Sequence, residues 1–277
     1  MGTSNFIYDP KRGGIFAPDY QLVPYPAPIM RRQALLDIVN GLALSGKGNK
    51  YVEIGYGTGI FSYEFYRMGF NVYGYDSSDY AYYTAQKLFN SNKLRLKLKK
   101  DFKEISKSHF DIVGAYEVLE HIQNDDIALK QWRKLLSDNG VLLISVPAHT
   151  KRFGLRDERV GHFRRYDKEV LIELLEISGF EIVKFICYGF PLPLMIDKIT
   201  EILVDKKHAI RNGKSDIKYK SDISGIARSE EFKYRNILPY RLLVLFSKVQ
   251  RMFYRTNLGI GYIVAAKVRK NEKNIDT

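Results

Sequence analysis

The chain has 277 residues and a formal net charge of +13, with 44 Lys and Arg against 31 Asp and Glu. Its apolar share of 45% allows a sizeable buried core, and no apolar run reaches the ~18 residues of a membrane span. Cys187 is the single cysteine, which excludes an internal disulfide and a cysteine-built metal cluster. The N-terminus lacks the basic-then-apolar order of a signal peptide, so the sequence points to a cytoplasmic protein. The positive charge suits nucleic acid, anionic lipid or a phosphorylated substrate, but a Lys- and Tyr-rich proteome bias accounts for it equally well. No zinc finger, RNA-recognition signature or Arg-Gly repeat is present.

Residues 1–28 are rich in Gly, Pro and Tyr, and Pro24, Pro26 and Pro28 predict an extended segment. A helix follows over Ile29–Leu44, with Arg31 and Arg32 at its start, and stops at Ser45-Gly-Lys-Gly48. Residues 51–59 read Tyr-Val-Glu-Ile-Gly-Tyr-Gly-Thr-Gly: an apolar strand, a carboxylate, then glycines two apart. Glycine there permits a sharp strand-to-helix turn and close approach of a ligand to bare backbone. A dinucleotide site wants its third glycine three residues after the second, and Ile60 holds that place. Glu53 would repel a pyrophosphate, whereas it suits a cofactor carrying a cationic amine and sulfonium.

Beyond the glycines the pattern predicts a helix over Ile60–Met68 and a strand over Phe70–Tyr75 that ends in Asp76. Asp76 lies about 20 residues beyond Glu53, the distance at which an acid meets a ribose in nucleotide-binding α/β folds. A helix over Asp79–Asn90, a short strand near Leu94–Leu98 and the pair Asp101-Phe102 come next. Strands over Phe110–Ala115 and Asn139–Pro147 bracket the run Tyr-Glu-Val-Leu-Glu-His121. A polar loop leads to helix Lys168–Ser178, with Asp167 at its N-cap and Gly179 at its C-cap, and to strand Phe180–Cys187. The last strand is expected over Gly259–Val268. Alternating β and α patterns of this kind imply an open, mostly parallel sheet with helices on both faces.

The five elements in this order, over roughly residues 48–190, resemble class I S-adenosylmethionine (SAM) methyltransferases. The likeness includes a bacterial group with Glu-Val-Leu-Glu-His and Gly-His-x-Arg-Arg-Tyr motifs. It implies a seven-stranded, doubly wound Rossmann-like sheet whose last strand is antiparallel. It divides the chain into an N-terminal segment and helix (1–47), a SAM-binding core (48–190), a mostly helical basic insertion (191–257) and a last strand with tail (258–277). The cofactor set it implies is Glu53 near the methionyl amine, Gly55, Tyr56, Gly57 and Gly59 as a floor, and Asp76 with Ser77 at the ribose. Asp101 and Phe102 would meet adenine. Each has a structural alternative, Asp76 as a turn residue and Asp101 as a surface acid.

Glu117, Glu120 and His121 follow the fourth strand. If that run is helical, positions i, i+3 and i+4 share one face and two carboxylates converge with an imidazole. The metal-dependent 2′-O-methyltransferases of small-RNA 3′ ends and the ubiquinone-pathway O-methyltransferases carry a similar run as divalent-metal ligands. The former add a histidine from after strand five, where His162 stands here. The resemblance thus implies a metal set of Glu117, Glu120, His121 and His162. Many other class I enzymes carry Leu-Glu-His without metal, and there the histidine lines the pocket or acts as base. Catalytic roles for His121 and Glu117 stay open beside a purely structural one. Arg164 and Arg165 suit an anionic acceptor group, with His162 beside them, or else brace the following helix by salt bridges.

The insertion spans roughly 70 residues, too long for a bare loop. Within it Tyr240–Arg255 places Arg241, Lys248, Arg251 and Arg255 along one helical stripe. That stripe reads as a peripheral membrane helix or substrate lid, or as a packed helix with a solvated basic face. Three functions remain: SAM-dependent O-methylation of a small-molecule, sugar or lipid-linked hydroxyl; metal-dependent RNA 2′-O-methylation; and SAM binding without turnover. Nothing in the sequence specifies the oligomeric state.

Overall fold

The computed structural model describes residues 7–9, 14–16, 26–91, 96–196 and 240–269. Strands β1 (Ile7–Asp9) and β2 (Gly14–Phe16) pair as a small antiparallel ribbon. Helix α1 covers Pro26–Gly41, beginning and ending three residues before the expected bounds. Pro26 and Pro28 sit in its first turn, where backbone N–H groups have no helical acceptor and proline costs nothing.

A seven-stranded sheet forms the centre, in the order β5-β4-β3-β6-β7-β9-β8. Its members are β3 (Lys50–Ile54), β4 (Asn71–Tyr75), β5 (Lys97–Lys99), β6 (Phe110–Tyr116), β7 (Leu136–Pro147), β8 (Phe180–Tyr188) and β9 (Gly261–Val268). Strands β3 to β7 pair in parallel, and β9 runs antiparallel between β7 and β8. Side chains alternate between two buried layers, as the strand period requires. One layer collects Val52, Val113, Leu142 and Val264 with Trp132 and Leu171. The other collects Tyr51, Ile112, Leu143 and Ile263 with Leu35 and Phe65. Burial on both faces explains why β6 and β7 read as near-continuous apolar runs.

Helices α2 (Ile60–Arg67) and α3 (Asp79–Ser91) match their expected places, with the four-residue α4 (Lys103–Ser106) after β5. Helix α5 (Asp125–Lys134) was not read from the sequence. Its buried Ala128, Leu129 and Trp132 are few among charges, but Asp125-Asp126 in the first turn and Arg133-Lys134 in the last match the helix dipole. The loop after β7 holds a 3₁₀ turn (Thr150–Arg152) and helix α6 (Leu155–Val160) before α7 (Lys168–Ile177). Gly179 ends α7 with φ 85°, as a C-terminal glycine does. Asp167 makes no side-chain cap bond and instead accepts the Thr150 N–H (3.1 Å) and hydroxyl (2.5 Å).

Of the basic insertion, residues 197–239 lie outside the described residues. Its last helix, α8 (Tyr240–Val249), passes into a 3₁₀ turn at Gln250–Phe253. Of the expected four-cation stripe, Lys248, Arg251 and Arg255 are all exposed. Arg251 also forms a bidentate pair with Asp37 of α1 (2.8 and 2.6 Å). Arg241's side chain lies outside the described residues. Buried Gln250 donates to the Met30 carbonyl (2.9 Å) and accepts the Gly189 N–H (3.0 Å), tying the 3₁₀ turn to α1 and to the end of β8.

Gln250→Leu keeps the volume but strands a buried carbonyl and a buried N–H. Each orphaned group costs about 1–3 kcal/mol, so a loss of about 2–4 kcal/mol in urea unfolding is expected. Stability within 0.5 kcal/mol of wild type would show that these bonds contribute little.

Candidate functional site

The chain leaves β3 toward β4 and leaves β6 toward β7, so the strand order reverses between them and opens a crevice at their carboxyl ends. Glu53 and the glycines end β3, while Glu117 follows β6. The glycines all adopt positive φ, but for different reasons. A Cβ at Gly55 would meet Val118 at 2.6 Å, and one at Gly59 would meet Phe89 at 2.5 Å. Both are packing requirements. A Cβ at Gly57 would meet nothing within 4 Å, so Gly57 alone borders open space in the way a cofactor cradle demands.

Tyr56 does not take the cofactor role expected of it. Its ring is buried with Ala81, Ala85 and Phe89, on the α3 side of the loop. Asp76 accepts the Gly57 N–H (2.8 Å) and the Ser78 N–H (2.9 Å), so its carboxylate is fixed beside the cradle. Ser77 is exposed; the neighbouring Ser78 starts α3 by accepting the Ala81 N–H at its hydroxyl (3.3 Å). Ser-Asp spacing at a helix start was the overlooked signal for Ser78. Asp101 is exposed and accepts the Lys103 N–H, and Phe102 stacks edge-on against Tyr75, with ring centroids 5.3 Å apart.

Glu53 is buried, at 3% exposure, and Ser62 donates to its Oε2 at 2.5 Å. Burial pushes its pKa up to about 8, against the opposing hydrogen bond from Ser62. A proton-bearing carboxyl beneath the cradle fits a cationic ligand group, whose charge would draw the proton off.

At the end of β6 the run 116–121 is not one helix. Only Leu119–His121 forms a 3₁₀ turn, and Glu117 precedes it at φ 57°. The helical i, i+3, i+4 convergence therefore fails for Glu117. Its Oε2 pairs with Arg31 (3.1 Å), and its Oε1 accepts from Ser145 (3.1 Å) and Tyr188 (3.3 Å). Arg31, at the start of α1, is thus paired to a residue of the site.

Glu120, His121 and His162 do meet: one ligand atom from each lies within 4.8 Å of the others. Glu120 is fully buried, and neither carboxylate oxygen has a hydrogen-bond partner. Burial, then the charge of Glu117, raises its pKa well above the carboxylate range. His162 Nδ1 lies 2.8 Å from Asp157 Oδ1, so the ring donates there and turns Nε2 toward Glu120 Oε1, 3.8 Å away. His121 Nδ1 faces the Gly161 carbonyl at 3.2 Å, which can only accept, so Nε2 is the lone-pair side of the neutral ring. Two imidazole lone pairs and an orphaned carboxylate are the donor chemistry of a divalent cation, and the Asp157 contact is the outer support that ligating histidines have. The residues fit three of the four expected ligands. Glu117 stands outside the group.

The expected anion clamp is absent from this geometry. Arg164 donates to Asp125 (2.8 Å) and to the Gln123 carbonyl (2.6 Å). Arg165 binds both oxygens of Asp157 at 2.9 Å. Asp157 is buried and also accepts the Gly154 N–H that starts α6, so the two arginines brace the histidine-bearing loop. Asp157 and Arg31 are the site residues that spacing did not reveal, because each acts through tertiary contacts.

A family model described as a methyltransferase domain matches residues 29–184, more than half of the chain. The chain belongs to this methyltransferase family. Among curated proteins it is 33% identical over 101 residues to the ubiquinone biosynthesis O-methyltransferase of Pelagibacter ubique, covering 36% of this chain and 42% of that one. It is 31% identical over 153 residues to the protein of the same name from Glaesserella parasuis, covering 52% and 60%. The methyltransferase thus spans about half the length of these relatives. A structure from Galdieria sulphuraria, provisionally named a sarcosine dimethylglycine methyltransferase, superposes with TM-score 0.58 at 11% identity over 97% of this chain and 94% of that one. That likeness is one of fold, and it agrees with the seven-stranded class I sheet.

SAM is the cofactor of this class, and the Glu53–Gly57–Asp76 arrangement fits it. Because Glu53 is protonated near neutrality, binding of a cationic ligand should release a proton, and affinity should rise as pH goes from 6 to 8. Calorimetry of S-adenosylhomocysteine in buffers of differing ionisation enthalpy should show nearly one proton released at pH 7. Glu53→Gln should abolish that release; a wild type that releases none would refute the pairing.

Proposed function

We propose that this methyltransferase moves the methyl group of SAM to a hydroxyl of a small-molecule or lipid-linked acceptor, beside a divalent cation held by Glu120, His121 and His162. The observation that carries the metal reading is the buried Glu120 carboxylate, without a hydrogen-bond partner, grouped with His162 and His121 so that one ligand atom of each lies within 4.8 Å of the others. The names of the two curated relatives put a hydroxyl first among acceptors. When bound, SAM supplies an activated methyl group, and a divalent cation lowers the pKa of a hydroxyl it holds.

The chain's own residues orient and exclude. Gly57 leaves room for the cofactor against backbone, Asp76 offers carboxylate oxygens to the ribose, and Glu53 answers the methionyl amine. Asp101 and Phe102, next along the same sheet edge, would border adenine. His121 stands at the carboxyl end of β6, where it either ligates the cation or takes the acceptor proton. Asp157, Arg164 and Arg165 hold the loop that delivers His162.

Two measurements test this reading. Wild type should bind SAM and S-adenosylhomocysteine with micromolar affinity and ignore NAD, and Asp76→Ala should weaken SAM at least about tenfold, the loss of one or more good hydrogen bonds. With a panel of phenolic, sugar and lipid-linked hydroxyl acceptors, Glu120→Gln and His121→Ala should lower kcat about 100-fold or more while SAM affinity stays within about threefold. Chelation should do the same, reversibly. Activity unmoved by both chelator and Glu120→Gln would exclude the cation.

A lipid-linked acceptor is favoured by the exposed side of α8 and the turn after it. Leu245 and Met252 are 54% and 80% exposed, and Lys248 and Arg255 are exposed beside them. Cations near an anionic bilayer add about 1 kcal/mol each, screened by salt. Wild type should therefore co-sediment with phosphatidylglycerol vesicles at low salt and be released at high salt. The Lys248→Gln/Arg255→Gln variant should bind several-fold less. If wild type ignores such vesicles at low salt, this face serves no membrane.

A further inference from the structure

Glu117 and Arg31 face each other inside the site, and neither is explained by the ligand group of Glu120, His121 and His162. Glu117 follows β6 directly, in a left-handed conformation uncommon outside glycine. Its charge is felt at Glu120, yet its carboxylate is not among the ligand atoms that converge there. Instead Arg31 Nη1 holds Oε2 at 3.1 Å, while the Ser145 and Tyr188 hydroxyls donate to Oε1. The pair is largely screened from water, with side-chain exposures of 14% for Arg31 and 22% for Glu117. Arg31 Nε is buried with no hydrogen-bond partner, and the guanidinium is held there by the Glu117 carboxylate together with the Tyr188 hydroxyl.

From this arrangement we propose that Arg31 acts as an internal cation competing with the metal for Glu117, so that the resting site presents three ligands instead of four. The inference rests on the metal reading given above. A carboxylate that already has a guanidinium and two hydroxyls as partners must surrender them to coordinate an ion, and that exchange lowers the affinity of the site. Withdrawing Arg31 frees Glu117 to join Glu120, His121 and His162. Because Arg31 belongs to α1, any displacement of that helix changes the ligand count without altering a ligand.

The test is Mn²⁺ binding to the full chain, read by electron paramagnetic resonance and by calorimetry, with no turnover involved. Arg31→Gln should bind Mn²⁺ about tenfold or more tightly than wild type, and Arg31→Lys, which keeps the charge, should stay within about threefold. Glu117→Gln alone should leave affinity near wild type, because Glu117 is not a ligand while Arg31 holds it. In the Arg31→Gln background, Glu117→Gln should remove the gain. Tyr188→Phe takes one donor from Glu117 without touching charge, and should strengthen binding about two- to threefold even if Arg31→Gln folds poorly.

A gain that survives Glu117→Gln would mean that Arg31 acts only through its charge on the site, and the competition is overturned. The same holds if wild type binds Mn²⁺ and neither Arg31→Gln nor Tyr188→Phe changes the affinity. If wild type and every folded variant bind no Mn²⁺, the metal reading itself fails and this inference with it. Binding that appears only in Arg31→Gln supports the inference most directly.

Discussion

The parallel pairing of β3 with β6 decides where everything else can happen. Ile54 lies opposite Ala115, so the two strands end together and the chains depart to opposite sides of the sheet. At the resulting crevice Gly57 presents bare backbone to open space, while Val118 and Phe89 pack so closely on Gly55 and Gly59 that no side chain fits there. Residues that leave β3 line one side of the crevice, and those that leave β6 line the other.

Around that crevice, acidic residues meet different fates, set by what each finds on burial. Glu53 is hydrogen-bonded by Ser62 and Tyr51, yet burial outweighs these bonds and keeps its proton on near neutrality. Glu117 has a guanidinium and two hydroxyls. Glu120 has no donor at all and sits before two histidines. Asp157 carries a guanidinium, a histidine and a backbone N–H, which together hold it below the usual carboxylate range despite burial. The proposed cation would meet the carboxylate without protein donors, whereas the fully partnered ones brace the fold.

Family membership settles the sheet and the cofactor class, and leaves the acceptor to the site. The curated relatives cover only part of their own length in the match, and the Galdieria structure shares the fold at 11% identity. The Arg31–Glu117 pair, the histidine loop braced by Asp157, and the exposed apolar and basic side of α8 are features that the shared fold does not by itself specify.

Read as a string, the chain already specified the succession of strands and helices, the glycine turn and Asp76 at the second strand's end, while the antiparallel last strand came only from the family resemblance. Those signals are local: apolar runs, glycine spacing and an acid at a fixed distance survive without neighbours. Element bounds shifted where a turn residue had two readings, as with Pro26 and Pro28, which start a helix instead of preventing one. Helix α5 was missed because few apolar residues mark it. The roles of single side chains were legible only in part. Tyr56 and Arg164–Arg165 look like ligand contacts in sequence, yet their partners are Phe89, Asp125 and Asp157, which distant segments bring to them. Glu120 and His121 were visible as a pair, but their separation from Glu117 was decided by one backbone torsion and by Arg31 of α1, far earlier in the chain. A side chain's chemistry is written in its residue type; whether it faces ligand, metal or protein is set by what the tertiary structure packs against it.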